Sequence, residues 1–149
     1  MLKIYQNSTV IQTYNETQDK ISHLDEIGIL YLQVPYESGI IEKIKADYDV
    51  PYTDIITVNE ETINYDILRD RFNREHIHSD YEMRYFTEGT AKFFIHVDDF
   101  VFELTVEPSD LISVPANVKH WFDAGDNPSF TAIRFFNDTA GWVAQYVNE

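Results

Sequence analysis

The sequence predicts a mainly β domain, an antiparallel barrel or sandwich with a few short helices in its N-terminal half, and two observations support this fold class. From residue 76 onward, stretches of five to eight residues rich in Phe, Tyr, Ile and Val recur at short spacing. Turn-forming segments separate them, among them Glu88-Gly89, Asp98-Asp99 and Pro108-Ser109. This rhythm is typical of antiparallel strands and not of strands that alternate with helices.

Two of the predicted strands alternate along the chain: residues 100–106 have Phe100, Phe102, Leu104 and Val106 in one set of positions, and residues 130–136 have Phe130, Ala132, Arg134 and Phe136. Successive side chains of a strand point to opposite faces, so each strand should have one buried face. The second stretch is also apolar at Ile133 and Phe135, between the alternating positions. We therefore expect residues 130–136 to be buried on both faces.

The first half of the chain predicts three helices. One runs from about Glu16 to Glu26 behind an Asn15 cap, a second lies around residues 38–46, and a third lies near residues 65–72. No internal repeat or flexible linker divides the chain, and 149 residues suit one domain with its own core. The sequence therefore predicts a single domain over residues 1–149.

Composition restricts the function. With 11 basic and 26 acidic residues the net charge is −15, which repels nucleic acids and anionic lipid surfaces, so neither is an expected partner. No apolar run approaches the roughly 20 residues of a membrane span, and the N-terminus lacks an export signal, so a soluble cytoplasmic protein is expected. The absence of cysteine suits a reducing compartment and leaves only His and carboxylates as metal ligands.

Three of the five histidines fall into one pattern with a glutamate: His76, His78, Glu82 and, much later, His120. Positions 76, 78, 82 and 84 share strand parity, so their side chains can converge on one face. A distant strand that carries His120 would complete a set of three imidazoles and one carboxylate. Such a set suits Fe(II), Ni(II), Co(II) or Mn(II), and four protein ligands leave two positions of a six-coordinate ion open for substrate.

The alternative is that these histidines are unrelated surface or core residues. That interpretation suits His23 and His96, which stand outside the pattern. For the other three it requires a chance coincidence of His-x-His, a following Glu and a later Pro-x-x-x-x-His. Metal binding is therefore the prediction for His76, His78, Glu82 and His120.

The same segments resemble a known family. Residues 76–82 with Gly89, and residues 115–120, resemble the two cupin motifs. The sequence around these motifs resembles bacterial-type acireductone dioxygenases at residues 72–75, 82–85, 110–116, 120–123, 131–134 and 141–146. The resemblance implies a single-domain cupin (double-stranded β-helix, jelly-roll barrel), with a helical and strand elaboration over about residues 1–70 and a metal-binding core over about 71–146. Two departures are Asn117, where cupins usually have Gly, and Tyr81, where the family more often has an acidic residue.

What the resemblance implies for function is oxidation by O₂ of the acireductone 1,2-dihydroxy-3-keto-5-methylthiopentene in methionine salvage. The cofactor would be one divalent ion per chain, Fe(II) or Ni(II), with Co or Mn as substitutes. The Fe form would give formate and 4-methylthio-2-oxobutanoate, and the Ni form 3-methylthiopropanoate, formate and CO. The expected protein is a monomer whose partners are the acireductone and O₂.

Two charged residues are candidates for catalysis. Arg84 shares parity with Glu82, and its permanent charge would stabilise the substrate dianion, unless it only forms a salt bridge with a neighbouring carboxylate. Glu75 has the opposite parity and matches an acidic residue of the family, which implies that it orients a ligand or assists metal loading. A solvated surface position is the alternative for Glu75.

The substrate-binding candidates follow from their positions in the sequence motifs of the family. They are Phe72, Phe122 and Trp142 for an apolar slot, together with Arg84 and Arg134. The aromatic residues could equally belong to the barrel core, and Arg134 could pair with a carboxylate. Two rival functions remain open on the same fold. One is another metal cupin enzyme, such as a sugar isomerase or a small-diketone dioxygenase, and the other is a non-catalytic cupin that binds a small ligand.

Overall fold

The computed structural model describes residues 1–78, 81–137 and 144–147, and these residues form a mainly β structure. In chain order the elements are β1 (Leu2–Gln6), β2 (Thr9–Tyr14), α1 (Thr17–Glu26), β3 (Leu30–Gln33), α2 (Ile40–Tyr48), β4 (Tyr52–Val58), α3 (Tyr65–Asn73), β5 (His76–His78), β6 (Glu82–Val97), β7 (Phe100–Val106), β8 (Asp110–Val114), β9 (Lys119–Asp123), β10 (Ser129–Phe136) and β11 (Ala144–Tyr146). The predicted fold class is confirmed.

The strands form two antiparallel sheets that share β6. In the first sheet the order is β2-β1-β7-β6-β9-β5-β11. In the second sheet it is β4-β10-β6-β8-β3. Because one long strand belongs to both sheets, side chains from its first half and from β5 and β9 can meet between the sheets.

A bend at Gly89 lets β6 pass from one sheet to the other. Gly89 has a φ of +73°, and a Cβ there would lie 1.8 Å from the carbonyl oxygen of Ser129. Pairing with β10 also changes register between Thr131 and Ala132. The prediction of a turn at Glu88-Gly89 that ends a short strand is therefore wrong, because the 16-residue β6 continues through this bend. A glycine that permits close backbone approach looks in sequence like a glycine that ends a strand.

The largest core lies between the two sheets. Its buried side chains include Phe86, Phe93, Leu104, Phe122 and Phe130. A second core lies on the outer side of the second sheet, where Ile40 and Ile44 of α2 join a set of strand residues that consists of Met83, Tyr85, Leu111 and Phe135. Since Phe130 belongs to the first core and Phe135 to the second, the prediction that residues 130–136 are buried on both faces is confirmed.

The three predicted helices are present, with α2 shifted by two residues from its predicted start and end. The Asn15 cap is wrong, because Glu16 occupies the N-cap position of α1 with an extended backbone and no side-chain capping hydrogen bond. No helix in the described part of the chain is long and apolar enough to cross a membrane.

Candidate metal centre

Four side chains converge between the sheets from three strands. His76 and His78 lie two residues apart on β5, so they share a face. His120 of β9 lies directly opposite His76 in the register of the first sheet. Glu82 begins β6, where this strand enters the second sheet. The common face expected from strand alternation is present for His76 and His78 on β5, strand pairing adds His120, and Glu82 reaches the group from the start of another strand, β6.

The four ligand atoms, one from each of these side chains, lie within 4.8 Å of one another. One oxygen of Glu82, Oε2, is 2.7 Å from Nε2 of His120 and 3.1 Å from Nε2 of His78. All four residues are buried, with at most 7% of each exposed. A buried group of this kind, drawn from distant parts of the chain, is what a metal centre requires and what a solvated acidic patch lacks.

Backbone carbonyls orient two of the imidazoles. Nδ1 of His76 donates a hydrogen bond to the carbonyl oxygen of Arg74 over 2.7 Å, and Nδ1 of His120 donates to that of Val118 over 2.9 Å. A carbonyl oxygen can only accept, so each Nδ1 carries a proton. With Nδ1 committed in this way, Nε2 is the nitrogen that each ring could offer to a metal after losing any proton it shares with Glu82, the usual arrangement around a protein-bound metal.

The electrostatics of the cluster favour a cation at its centre. Burial lowers the pKa of His76 to about 4, so its imidazole is neutral at physiological pH. Burial alone would raise the pKa of Glu82, but Arg84 and His120 hold that pKa well below its usual range. Burial would lower the pKa of His120, yet the ionised Glu82 raises it overall. The ionised carboxylate of Glu82 is thus available as an anionic ligand beside Arg84, and a divalent ion would take the place of the proton that Glu82 favours on His120.

The donor set fits a first-row divalent ion. Three imidazole nitrogens and one carboxylate oxygen, without a thiolate, suit Fe(II), Co(II), Ni(II) and Mn(II) better than a closed thiolate site would. Four protein ligands leave positions free on a six-coordinate ion. The arrangement can therefore hold a metal and still admit a chelating small molecule.

Arg84 places a second charge beside the cluster. It is 4% exposed, and its Nε lies 2.9 Å from Oε1 of Glu82, the oxygen that is not shared by the two histidines. Its guanidinium carbon lies 4.9, 5.7 and 5.8 Å from the ring centres of Phe122, Phe93 and Phe72. Aromatic rings attract a guanidinium and restrict its position. The Arg84 charge is thus held in a fixed place next to the four candidate ligands.

Glu75 contacts a different partner. Its Oε2 accepts a hydrogen bond from Nδ1 of His96 over 2.7 Å, and both side chains are partly exposed. The strand β9 lies between β5 and β6, so this pair links the residue before His76 to β6 across β9. The sequence did not indicate a partner for His96, because the contact depends on which strands are neighbours.

The predicted substrate residues occupy different environments. Phe122 is 2% exposed and packs in the main core, whereas Phe72 is partly buried and meets Phe122 edge to face at 5.5 Å. Arg134 lies opposite Arg84 in the register of β10 and β6, and its Nε donates to Asp54 over 2.8 Å. Trp142 lies outside the described residues.

Tyr81, one of the two departures from the family pattern, lies with the second core. Its hydroxyl donates to the carbonyl oxygen of Tyr48, at the end of α2, over 3.2 Å. The other departure, Asn117, has a φ of +65° in the turn between β8 and β9. Its left-handed backbone agrees with the Gly that cupins usually have there.

Comparison with known proteins gives a consistent result. A sequence model of the ARD/ARD′ family matches residues 5–144. An acireductone dioxygenase from Granulibacter bethesdensis is 42% identical over 125 residues, which cover 84% of this chain and 68% of the relative. One from Methylococcus capsulatus is 44% identical over 106 residues, which cover 71% of this chain and 57% of the relative.

Among solved structures, the acireductone dioxygenase from Bacillus anthracis with a cadmium ion in its active centre superposes with a TM-score of 0.82. The two sequences are 29% identical, and the match covers 97% of this chain and 96% of that one. The chain thus spans roughly the whole of this neighbour, but the matches to the two curated relatives reach only 57% and 68% of their length.

Proposed function

The chain belongs to the ARD/ARD′ family of cupins, and from this membership we propose that it is an acireductone dioxygenase that cleaves 1,2-dihydroxy-3-keto-5-methylthiopentene with O₂. The observation that carries the proposal is the buried set of three histidines and one glutamate with a guanidinium 2.9 Å from the glutamate. The family match favours this reaction over a sugar isomerase, another diketone dioxygenase or a non-catalytic cupin.

His76, His78, Glu82 and His120 would hold one divalent ion, which, when bound, supplies a Lewis acid and a template for a chelating enediol and O₂. The residues around it contribute binding and exclusion of water. Phe93 and Phe122 of the main core lie beside Arg84, and Phe86 packs against both of them. A low-dielectric wall of this kind strengthens every charge interaction at the site.

Arg84 would act as the catalytic cation. The substrate binds as a dianion in this proposal, and a guanidinium held beside Glu82 lowers the free energy of the deprotonated form. Because three aromatic rings surround Arg84, little reorganisation is needed when the substrate enters. Phe72 and Phe122 next to Arg84, together with Trp142, would form the slot for the methylthioethyl tail.

Glu75 and Arg134 would support the site without binding the metal. The pair of Glu75 with His96 would position the start of β5, and with it His76, which is a role in metal loading and not in proton transfer. Arg134 lies on β10, next to Arg84 on β6, and a hydrogen bond to Asp54 orients its side chain. We propose that Arg134 contributes positive charge to substrate binding from this position.

The proposal also covers the location, oligomeric state, pathway and metal of the protein. We propose a cytoplasmic monomer with one cupin domain that acts in methionine salvage, with Fe(II) or Ni(II) as the metal. The Fe form should give formate and 4-methylthio-2-oxobutanoate, and the Ni form 3-methylthiopropanoate, formate and CO. The support is that several divalent ions suit three imidazoles and one carboxylate.

The experiment is to strip the metal, reload Fe(II) or Ni(II) separately, and measure CO and the two acids after turnover of the acireductone. Different products from the two metalloforms support the proposal. Identical products would refute the dependence on metal but leave a dioxygenase. Metal that binds without consumption of acireductone would favour another metal cupin function.

A further inference from the structure

The turn that joins β8 to β9 contacts the backbone or side chain of two candidate metal ligands. The backbone N–H of Asn117 donates to the carbonyl oxygen of His78 over 2.9 Å. The carbonyl oxygen of the next residue, Val118, accepts from Nδ1 of His120 over 2.9 Å. Two consecutive residues therefore hold ligands that come from β5 and from β9.

The first of these bonds, from Asn117 to His78, supplements a short pairing between β5 and β9. This strand is only three residues long, and its single ladder pair with β9 joins His76 to His120. The Asn117 bond adds a second link at the other end of the strand, beyond the ladder pair. It therefore fixes the backbone of His78 relative to β9, and so the distance from His78 to His120.

The backbone conformation of Asn117 makes both bonds possible at once. Its φ of +65° is in the left-handed region, and this reversal directs its N–H toward β5 while the chain enters β9. The side chain of Asn117 is exposed, so the backbone and not the amide carries the role. Asn tolerates this conformation better than most residues, Gly tolerates it freely, and a β-branched residue is strained there.

We propose that Asn117 is a positioning residue for the metal centre, because its left-handed backbone sets the relative placement of His78 and His120. This inference rests on the proposed metal site. The inference concerns backbone conformation at residue 117. A substitution that keeps the left-handed conformation should preserve the site, and one that disfavours it should increase the distance between His78 and His120 without removing either ligand.

The test is to measure the affinity of the metal-free protein for Co(II), together with the visible spectrum of the bound ion, in Asn117→Val, Asn117→Ala and Asn117→Gly. The matched control is Asn7→Val. Asn7 also has a positive φ, +51°, but it lies in the hairpin of β1 and β2, at the other end of the first sheet from β5. Both valine variants should lose thermal stability, since both strain a left-handed position.

Only Asn117→Val and Asn117→Ala should change the metal site. We expect Asn117→Val to weaken Co(II) binding by about ten-fold or more, as loss of a contact that orients a ligand does, and to alter the Co(II) spectrum. Asn117→Ala should show a smaller change in the same direction, which keeps the test decisive if the valine variant fails to fold. Asn117→Gly and Asn7→Val should bind Co(II) like the unmodified protein.

An Asn117→Ala variant with unaltered Co(II) affinity and spectrum would overturn the inference. So would an Asn7→Val variant that loses as much affinity as Asn117→Val, because the effect would then be general destabilisation. If the unmodified chain binds no Co(II), the proposed function fails first, and this result is distinct from both.

Discussion

Replacing Arg84 by Met tests whether the buried charge beside the metal centre holds the metal-free protein together. Arg84 is 4% exposed, Glu82 is 3% exposed, and Nε of Arg84 lies 2.9 Å from Oε1 of Glu82. With an effective dielectric constant of about 20, two unit charges at that distance attract by roughly 6 kcal/mol. The cost of removing both charges from water offsets much of this attraction.

The expected loss follows from the partners that Glu82 keeps. Removing one member of a buried ion pair typically costs about 3–5 kcal/mol, because the other charge stays buried. Glu82 retains hydrogen bonds with His120 and His78 at 2.7 and 3.1 Å, so we expect a loss of about 3 kcal/mol in the free energy of unfolding. Bound metal should reduce this loss, since the ion then neutralises Glu82.

The assay is urea unfolding of the metal-free protein, with Arg134→Met as the matched control. Arg134 lies opposite Arg84 on the next strand, but it pairs with the more exposed Asp54, so its loss should cost less than about 1 kcal/mol. Equal losses in the two variants, or a loss below about 1 kcal/mol for Arg84→Met, would refute the reasoning. Turnover should also fall steeply in Arg84→Met even where metal content is retained.

The remaining predictions concern the bend, a surface pair and a ligand. Gly89→Ala should destabilise the protein by about 3 kcal/mol or more in thermal unfolding, because its Cβ would meet the Ser129 carbonyl, and a loss below about 1 kcal/mol would contradict this bend. Arg69→Met should cost about 1–2 kcal/mol at neutral pH, since Arg69 hydrogen-bonds Asp123 at 2.9 and 3.1 Å. Burial would raise the pKa of Asp123, but the hydrogen bonds from Arg69 lower it overall. The stability that the pair contributes is therefore present above the unfolded pKa of about 4 and is lost as the pH falls through the folded pKa. A stability difference between Arg69→Met and the parent protein that does not shrink in acid would refute this prediction. His78→Ala should bind Co(II) at least about ten-fold more weakly, and unaltered Co(II) affinity would remove His78 from the site.

The metal centre could be predicted from sequence because its geometry is mostly local. The spacing of His76 and His78 gives them a common face on β5, and Glu82 follows within a few residues at the start of β6, close enough in the chain to join them. The partner His120 required a distant strand at the correct register, which spacing alone cannot give. The motif around it supplied that expectation through resemblance, and the pairing of His76 with His120 now gives the physical reason.

Other features were missed because they depend on tertiary neighbours. The strands β2 and β4 are exposed at most positions, so they carry no alternation that would reveal them. The bend of β6 depends on how close Ser129 approaches Gly89, and that distance is set by another strand. The pairing of Glu75 with His96 likewise exists only because β5 and β6 flank β9.

The decisive measurement is O₂ uptake on addition of acireductone to protein whose metal has been removed and then restored. We expect no uptake without metal, and uptake matched mole for mole to the acireductone consumed once one divalent ion per chain is bound. His120→Ala, treated in the same way, should bind little metal and consume neither reactant. Full uptake by the metal-free protein, or by a His120→Ala protein without bound metal, would show that these four side chains do not form the reactive centre.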